Sequence, residues 1–237
     1  MTGMVWDTVR FDSLPPDRMA ALEALVGPPD GWTARRDLQL RLLAELGLRS
    51  DHSFLDLGCG PLRAGLPLIA TLAPGQYTGI DVDADCIAGA RALVSEFNLE
   101  NRTPRIVQSA TFGADEIPDE VRFDRIWAFQ VFIHLTEPLV KAGFAALGKR
   151  LADQGEAWIT LRIQDDAPGF EVTGAWRDVY AINHAPLSYF AGLAADNGLS
   201  LTRLGRFDGR TKTGWLADDA PQAGPVTQVM VALRRTF

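Results

Sequence analysis

The segment from Leu55 to Gly65, LDLGCGPLRAG, constrains this chain more than any other. A short apolar strand, SFLDLG from Ser53, runs straight into glycines, and the segment after it, RAGLPLIATL, reads as helical despite Pro67. Gly58 and Gly60 allow a tight turn, and a helix is expected to open near Leu62 or Arg63. Such a turn faces backbone N–H groups toward a ligand and needs positions without Cβ where the ligand passes close. The strand QYTGID (76–81) ends in Asp81, 23 residues after Gly58 and within reach of a ribose diol. Turn and acid together predict a pocket for an adenine nucleoside. The alternative is an ordinary tight βα turn beside a solvated acid.

The rest of the chain supplies a setting for that turn. Two helices come first, over 12–26 with Leu22 and Leu25 on one stripe, and from Thr33, as N-cap, to Leu46; the cluster GPPDG (27–31) separates them. Past the turn, a helix over 83–97 follows Asp81, and strands are expected at 105–108, 123–132 and 155–163. A helix over 136–151 opens at Thr136, with Leu139, Leu147 and Leu151 facing in. Strands alternating with helices of this length mean βαβ units and a mostly parallel, doubly wound sheet. The tail departs from that pattern. A helix over 186–198 and a strand over 199–207 are followed by a last strand, 225–235, with no convincing helix before it, so the final pair should be antiparallel.

The choice of nucleoside rests on what the turn lacks. A dinucleotide fingerprint would place a third glycine at position 63, where this chain has Arg63, and a Walker loop would need a GK[ST] that is absent. The carboxylate of Asp56, just ahead of the turn, suits a cationic ammonium better than a pyrophosphate. S-adenosylmethionine carries an ammonium and a sulfonium and no phosphate. FLDLGCGPLRAG, followed by GQYTGID and FDRIWAFQVFIHL, resembles the class I S-adenosylmethionine-dependent methyltransferases over about residues 50–235. The resemblance implies a Rossmann-like seven-stranded sheet in the order 3-2-1-4-5-7-6 with its last strand antiparallel, and S-adenosylmethionine as cofactor. It places Asp56, Gly58 and Gly60 around the methionine moiety, with Cys59 inside the same turn, while Arg63, which opens the first helix, either braces the cofactor carboxylate or binds a neighbouring acid. Asp81 then takes the ribose and Val82 lines the turn after it, with Ser109 and Ala110 beyond the third strand on the adenine side and Gln130 beyond the fourth.

Methyl transfer from a sulfonium is an in-line displacement that asks the protein for alignment, exclusion of water and, for a hydroxyl or protonated amine acceptor, a base. Two histidines are candidates. His134 lies just past the end of the fourth strand, where parallel sheets place ligands, and it either acts on the acceptor or braces the next turn. His184 precedes the last helix, in the segment expected to line the acceptor pocket. His52 is expected at the surface, and Arg35 and Arg36 in solvent or, as the alternative, reaching over the site. Cys59 reads as a small filler rather than a nucleophile. Residues 1–48 form an expected helical cap on a methyltransferase domain spanning 49–237, and 164–190 an acceptor-side insert. The Gly and Pro of that insert suggest a flap, and Asp165 and Asp166 at its start would attract an amine. Trp6, Trp32, Trp176, Tyr180 and Tyr189 cluster in the cap and the insert, as walls for an organic acceptor or as packing.

Composition closes several routes. Thirty acidic residues against 23 basic ones give a net charge of −7, which disfavours nucleic acid as partner. No NPPY-like tetrapeptide follows the fourth strand, where AFQV stands instead, so amino-group nucleobase methylation is disfavoured too. Two cysteines are too few for a disulfide framework or a thiolate metal site, and no metal is expected. No apolar run of membrane-spanning or signal-peptide length is seen, so a cytoplasmic protein without a membrane partner is expected, with a homodimer left open. The expected function is methyl transfer to an O or N atom of a small organic molecule. A protein methyltransferase, an NAD-dependent oxidoreductase and a non-catalytic cofactor-binding protein remain as alternatives.

Overall fold

A computed structural model describes residues 6, 13–26, 31–176, 180–208, 214–217 and 224–236. Residues 27–30 of the expected breaker, the start of the first expected helix and the side chains of Trp176 and Tyr180 lie outside the described set. The chain divides into two compact units, Met1–Pro118 and Asp119–Phe237.

The first unit opens with α1 (Pro16–Val26) and α2 (Trp32–Glu45), then alternates β1 (Phe54–Leu57), α3 (Gly65–Thr71), β2 (Tyr77–Asp81), α4 (Ala84–Glu96) and β3 (Arg105–Gln108). Its strands run parallel in the order β3-β2-β1, with Leu57 beside Ile80 and Asp81 beside Gln108. All four β1 residues are buried, as a strand covered on both faces requires. Asp83 caps α4 by accepting from the amides of Asp85 and Cys86. α1 packs on α4 where Gly89 leaves room, Leu22 and Leu25 lying 3.4 and 3.7 Å from where its Cβ would stand. Two boundaries differ from expectation. Gly31, not Thr33, is the N-cap of α2. α3 starts at Gly65 because Gly60 and Leu62 both hold positive φ, 54° and 65°, which no helix accepts.

The second unit contains β4 (Phe123–Ala128), α5 (Glu137–Arg150), β5 (Leu151–Ile163), β6 (Glu171–Trp176), β7 (Tyr180–His184), α6 (Leu187–Asp196), β8 (Leu199–Phe207), β9 (Trp215–Leu216) and β10 (Thr227–Arg235). Strand order here is β4-β5-β10-β8-β9. β4 and β5 are parallel, and β10 is antiparallel to both β5 and β8. Phe132, Phe144 and Phe190 build its aromatic core. Val140, rather than the exposed Leu139, turns inward from α5. β4 stops at Ala128 because Gln130 adopts φ 58°.

Ten strands, not seven, are present among the described residues. The additional ones are the short edge strand β9 and the antiparallel hairpin β6–β7. That hairpin occupies the segment expected to be a flap, where Val172 pairs with Asn183 and Gly174 with Ile182 across the ladder. Among the described residues no helix is long and apolar enough to cross a membrane.

Candidate cofactor site and acceptor-side residues

In the first unit the turn after β1 is closed by its own neighbour. The amides of Gly58 and Cys59 both donate to the Ile80 carbonyl, at 2.8 and 3.0 Å, and the Gly60 amide donates to Asp81 Oδ2 at 2.8 Å. The expectation that these N–H groups face a ligand is therefore corrected. The parallel register of β1 and β2 sets the Ile80 carbonyl beneath the turn, where it is the acceptor nearest to both amides. A turn with its amides spent in this way is no cradle for phosphate. What it offers a ligand is carboxylate.

Asp81 is held rigidly. Its Oδ2 takes the Gly60 amide and its Oδ1 the Asp83 amide at 3.0 Å, and the lone pairs left over suit hydroxyl donors. Burial raises its pKa, opposed by these backbone donors. Beside it Val82 is 52% exposed, an apolar surface adjoining a fixed acid. The amide of Ser109 donates to the Asp81 carbonyl at 2.9 Å, and Ser109 Oγ accepts from the amides of Thr111 and Gly113, with Ala110 exposed between. Asp81, Val82, Ser109 and Ala110 thus converge at the carboxyl ends of β2 and β3.

Asp56 lies deeper. It is buried in β1 and accepts from the Tyr77 hydroxyl at 2.8 Å. Burial pushes its pKa up to about 7, against the pull of that hydrogen bond. Arg63 carries a buried Nε with no hydrogen-bond partner among the described residues. Burial lowers its pKa to about 10, Arg35 adding to the shift while Glu23 and Asp56 oppose it. The Cys59 thiol packs 3.0 Å from where a Cβ on Gly79 would stand, and burial pushes its pKa well up, so it fills space. The last residue of α1 closes over the turn: a Cβ on Gly60 would fall 2.8 Å from Val26 Cγ1.

In the second unit Gln130 sits at positive φ, its amide donating to Thr160 Oγ1 at 2.7 Å. His134 ends a single 3-10 turn, Phe132–His134, and its Nδ1 lies 3.3 Å from the Ala181 carbonyl. Because a carbonyl only accepts, Nδ1 carries the proton and the neutral ring keeps its lone pair on Nε2. Burial lowers the His134 pKa, with the Ala181 bond opposing, which favours the neutral ring. His184 is 2% exposed, whereas an acceptor-lining ring was expected. It stands opposite Glu171 in the hairpin, with Nε2 3.3 Å from Oε2. The approach is too poorly aligned for a hydrogen bond, and neither ring nitrogen has one among the described residues.

Two further expectations are corrected. His52 is buried, its Nδ1 accepting from the Arg49 amide at 3.1 Å, because the short link into β1 folds back on itself. Arg36 is 1% exposed, its Nε 2.9 Å from Asp37 Oδ1, on a helix with seven buried residues. Sequence reasoning missed Tyr77, which reads only as an apolar strand residue, and Asn183. The buried Asn183 side-chain amide donates to the carbonyls of Phe132 and Leu135 at 2.7 and 2.6 Å. It ties the hairpin to the turn that carries His134. Among the described residues no cluster of three His, Cys, Asp or Glu could hold a metal ion.

The family model described as a methyltransferase domain matches residues 55–157. No curated protein matches the sequence. Among solved structures, a 1,6-didemethyltoxoflavin-N1-methyltransferase from Burkholderia thailandensis is 18% identical with a TM-score of 0.61, the match covering 88% of this chain and 82% of that one. The glycopeptide N-methyltransferase MtfA is 14% identical with a TM-score of 0.60, over 84% and 94% of the two chains. Magnesium protoporphyrin IX methyltransferase from Synechocystis PCC 6803 is 15% identical with a TM-score of 0.58, over 96% and 94%.

Proposed function

We propose that this chain is a class I S-adenosylmethionine-dependent methyltransferase that transfers a methyl group to an O or N atom of a small organic molecule. The observation that carries the reading is the turn of residues 58–60, whose amides are all spent on Ile80 and Asp81 and whose chemistry toward a ligand is that of two carboxylates. A phosphate-bearing dinucleotide would meet repulsion there. A cationic nucleoside without phosphate would not. When bound, S-adenosylmethionine supplies a methyl already activated on sulfur, which leaves the protein the work of binding, orienting and excluding water.

Asp81 would receive the ribose hydroxyls. Val82, Ser109 and Ala110 would border the adenine, and Asp56 would give the ammonium a buried counter-charge. Arg63, with an unsatisfied donor, suits the cofactor carboxylate. Helices α1 and α2, as the cap, would shield the turn from water, an idea supported by the contact of Val26 with Gly60. His134, neutral with its lone pair on Nε2, would accept a proton from an acceptor that needs a base, or orient one that does not. These structural neighbours are named for 1,6-didemethyltoxoflavin, a glycopeptide and magnesium protoporphyrin IX, which favours an organic acceptor over nucleic acid here, as does the net charge of −7.

Calorimetric titration with S-adenosylmethionine and S-adenosylhomocysteine tests the reading. Both should bind, and Asp81→Ala, which removes charge-assisted hydrogen bonds, should weaken them roughly 10–100-fold. An unchanged affinity in a folded Asp81→Ala protein would place the nucleoside elsewhere.

A further inference from the structure

The second unit holds a cavity of about 600 Å³ that the methyl-transfer reading does not use. Ile163 and Val229 lie on its floor, Arg203 and Arg206 on one side, and Asp165 and Asp166 on the loop that leaves β5. Strand register explains why the arginines meet. Residues three apart on a regular strand point to opposite faces of a sheet. Here β8 and β10 slip register between Met230 and Val231, so that Val229 pairs with Arg206 while Val231 pairs with Arg203. Val229 and Val231 share a face, and so therefore do both arginines. The bulge re-aims one guanidinium to stand beside the other. Ile163 joins the same face through its pairing with Thr227.

The charges on this wall are not neutralised by one another. Neither Asp165, Asp166 nor Arg203 forms an ion pair among the described residues, and all three are exposed. Arg206 is buried and oriented, its Nη1 3.4 Å from the Ala217 carbonyl, and Asp165 Oδ1 lies 3.3 Å from the Leu187 amide that would donate to it. A simple anion entering this cavity would meet two carboxylates, and a simple cation two guanidiniums. A molecule with one charge of each sign meets a partner at either end, with buried aliphatic surface between. The volume fits a ligand of small-peptide size.

We propose that this cavity is a binding site for a small molecule carrying both a carboxylate and an amine on an apolar body, the carboxylate held by Arg203 and Arg206 and the ammonium by Asp165 and Asp166. The site is tested independently of the methyl-transfer reading, because it is detected by binding alone and neither His134 nor any residue proposed to hold the cofactor lines it.

The test is calorimetry on the full chain with the dipeptide leucyl-phenylalanine, its N-acetyl derivative and its C-terminal amide. The parent should bind at one saturable site. Each derivative, having lost one charge, should bind about tenfold or more weaker. Arg203→Ala and Asp166→Asn, both at exposed positions, should each weaken the parent by a similar factor while thermal unfolding and S-adenosylhomocysteine affinity stay at wild-type values. Absence of saturable dipeptide binding would overturn the proposal. So would derivatives that bind as well as the parent, or an Arg203→Ala protein with unchanged affinity.

Discussion

The two units fasten their candidate functional segments by opposite means. In the first, backbone amides reach across to fixed acceptors: Gly58, Cys59 and Gly60 donate to Ile80 and Asp81, and the segment is short, glycine-rich and parallel-paired. In the second, side chains reach backbone carbonyls: Asn183 donates to Phe132 and Leu135, and His134 to Ala181. The first arrangement depends on φ values and on one strand register. The second depends on a hairpin folding back over a turn some fifty residues away.

The strongest test of this contrast is His134→Ala. If the latch on Ala181 serves to present a neutral base, turnover with an accepting substrate should fall roughly 10²–10⁴-fold with cofactor affinity unchanged, and His134→Gln should restore only the orienting part. Joint loss of cofactor binding and thermal stability would instead make the ring a brace.

Asp56 tests the first unit through pH. Burial raises its pKa from 3.8 to about 7, so the folded protein holds this proton more tightly than the unfolded chain does. The stabilisation is complete below about pH 3.8 and is lost as pH rises through about 7. Relative to Asp56→Asn, the wild type should therefore lose up to about 4 kcal/mol across that range in denaturant titrations. A cationic ligand should restore part of it at the alkaline end. A difference between the two proteins that stays flat with pH would mean that Asp56 is not a buried acid of this kind.

Asn183→Ala should cost about 2–3 kcal/mol, since it leaves two carbonyls without their donor, and it should lower turnover more than cofactor affinity. Equal loss in both would blur the separation between the units. The smallest effect is expected from Gly65→Ala. A Cβ there meets the Tyr77 hydroxyl and comes within 2.6 Å of Leu62 Cδ2, so Tyr77 must give way and loosen its hold on Asp56. Roughly 1–3 kcal/mol of stability should go, read by thermal unfolding, and the Asp56 pKa should rise further as the Tyr77 hydrogen bond that lowers it is loosened.

Much of the first unit was legible because its signals are local. A strand of apolar residues, glycines able to take positive φ and an acid at the next strand end all lie within the span Phe54–Asp81. The antiparallel tail was legible for a related reason: a strand with no helix before it has only one simple way to join a sheet. The hairpin β6–β7 was not, because its Gly and Pro at 168–169 announce a turn equally well before a strand or inside a loop. His52 and Arg36 misled because polarity predicts solvent, while burial depends on what lands on top of a residue.

By itself the sequence determined the βα turn, the acid beyond it and the change from parallel to antiparallel order, since these follow from backbone sterics and from hydrophobic period over a few residues. Only the tertiary structure decided that the turn's amides face Ile80 rather than a ligand, that Tyr77 holds Asp56, and that Arg203 and Arg206 share one face. Each of these rests on register between strands distant in sequence. A slip of one residue there changes which side chains meet while leaving every local signal as it was.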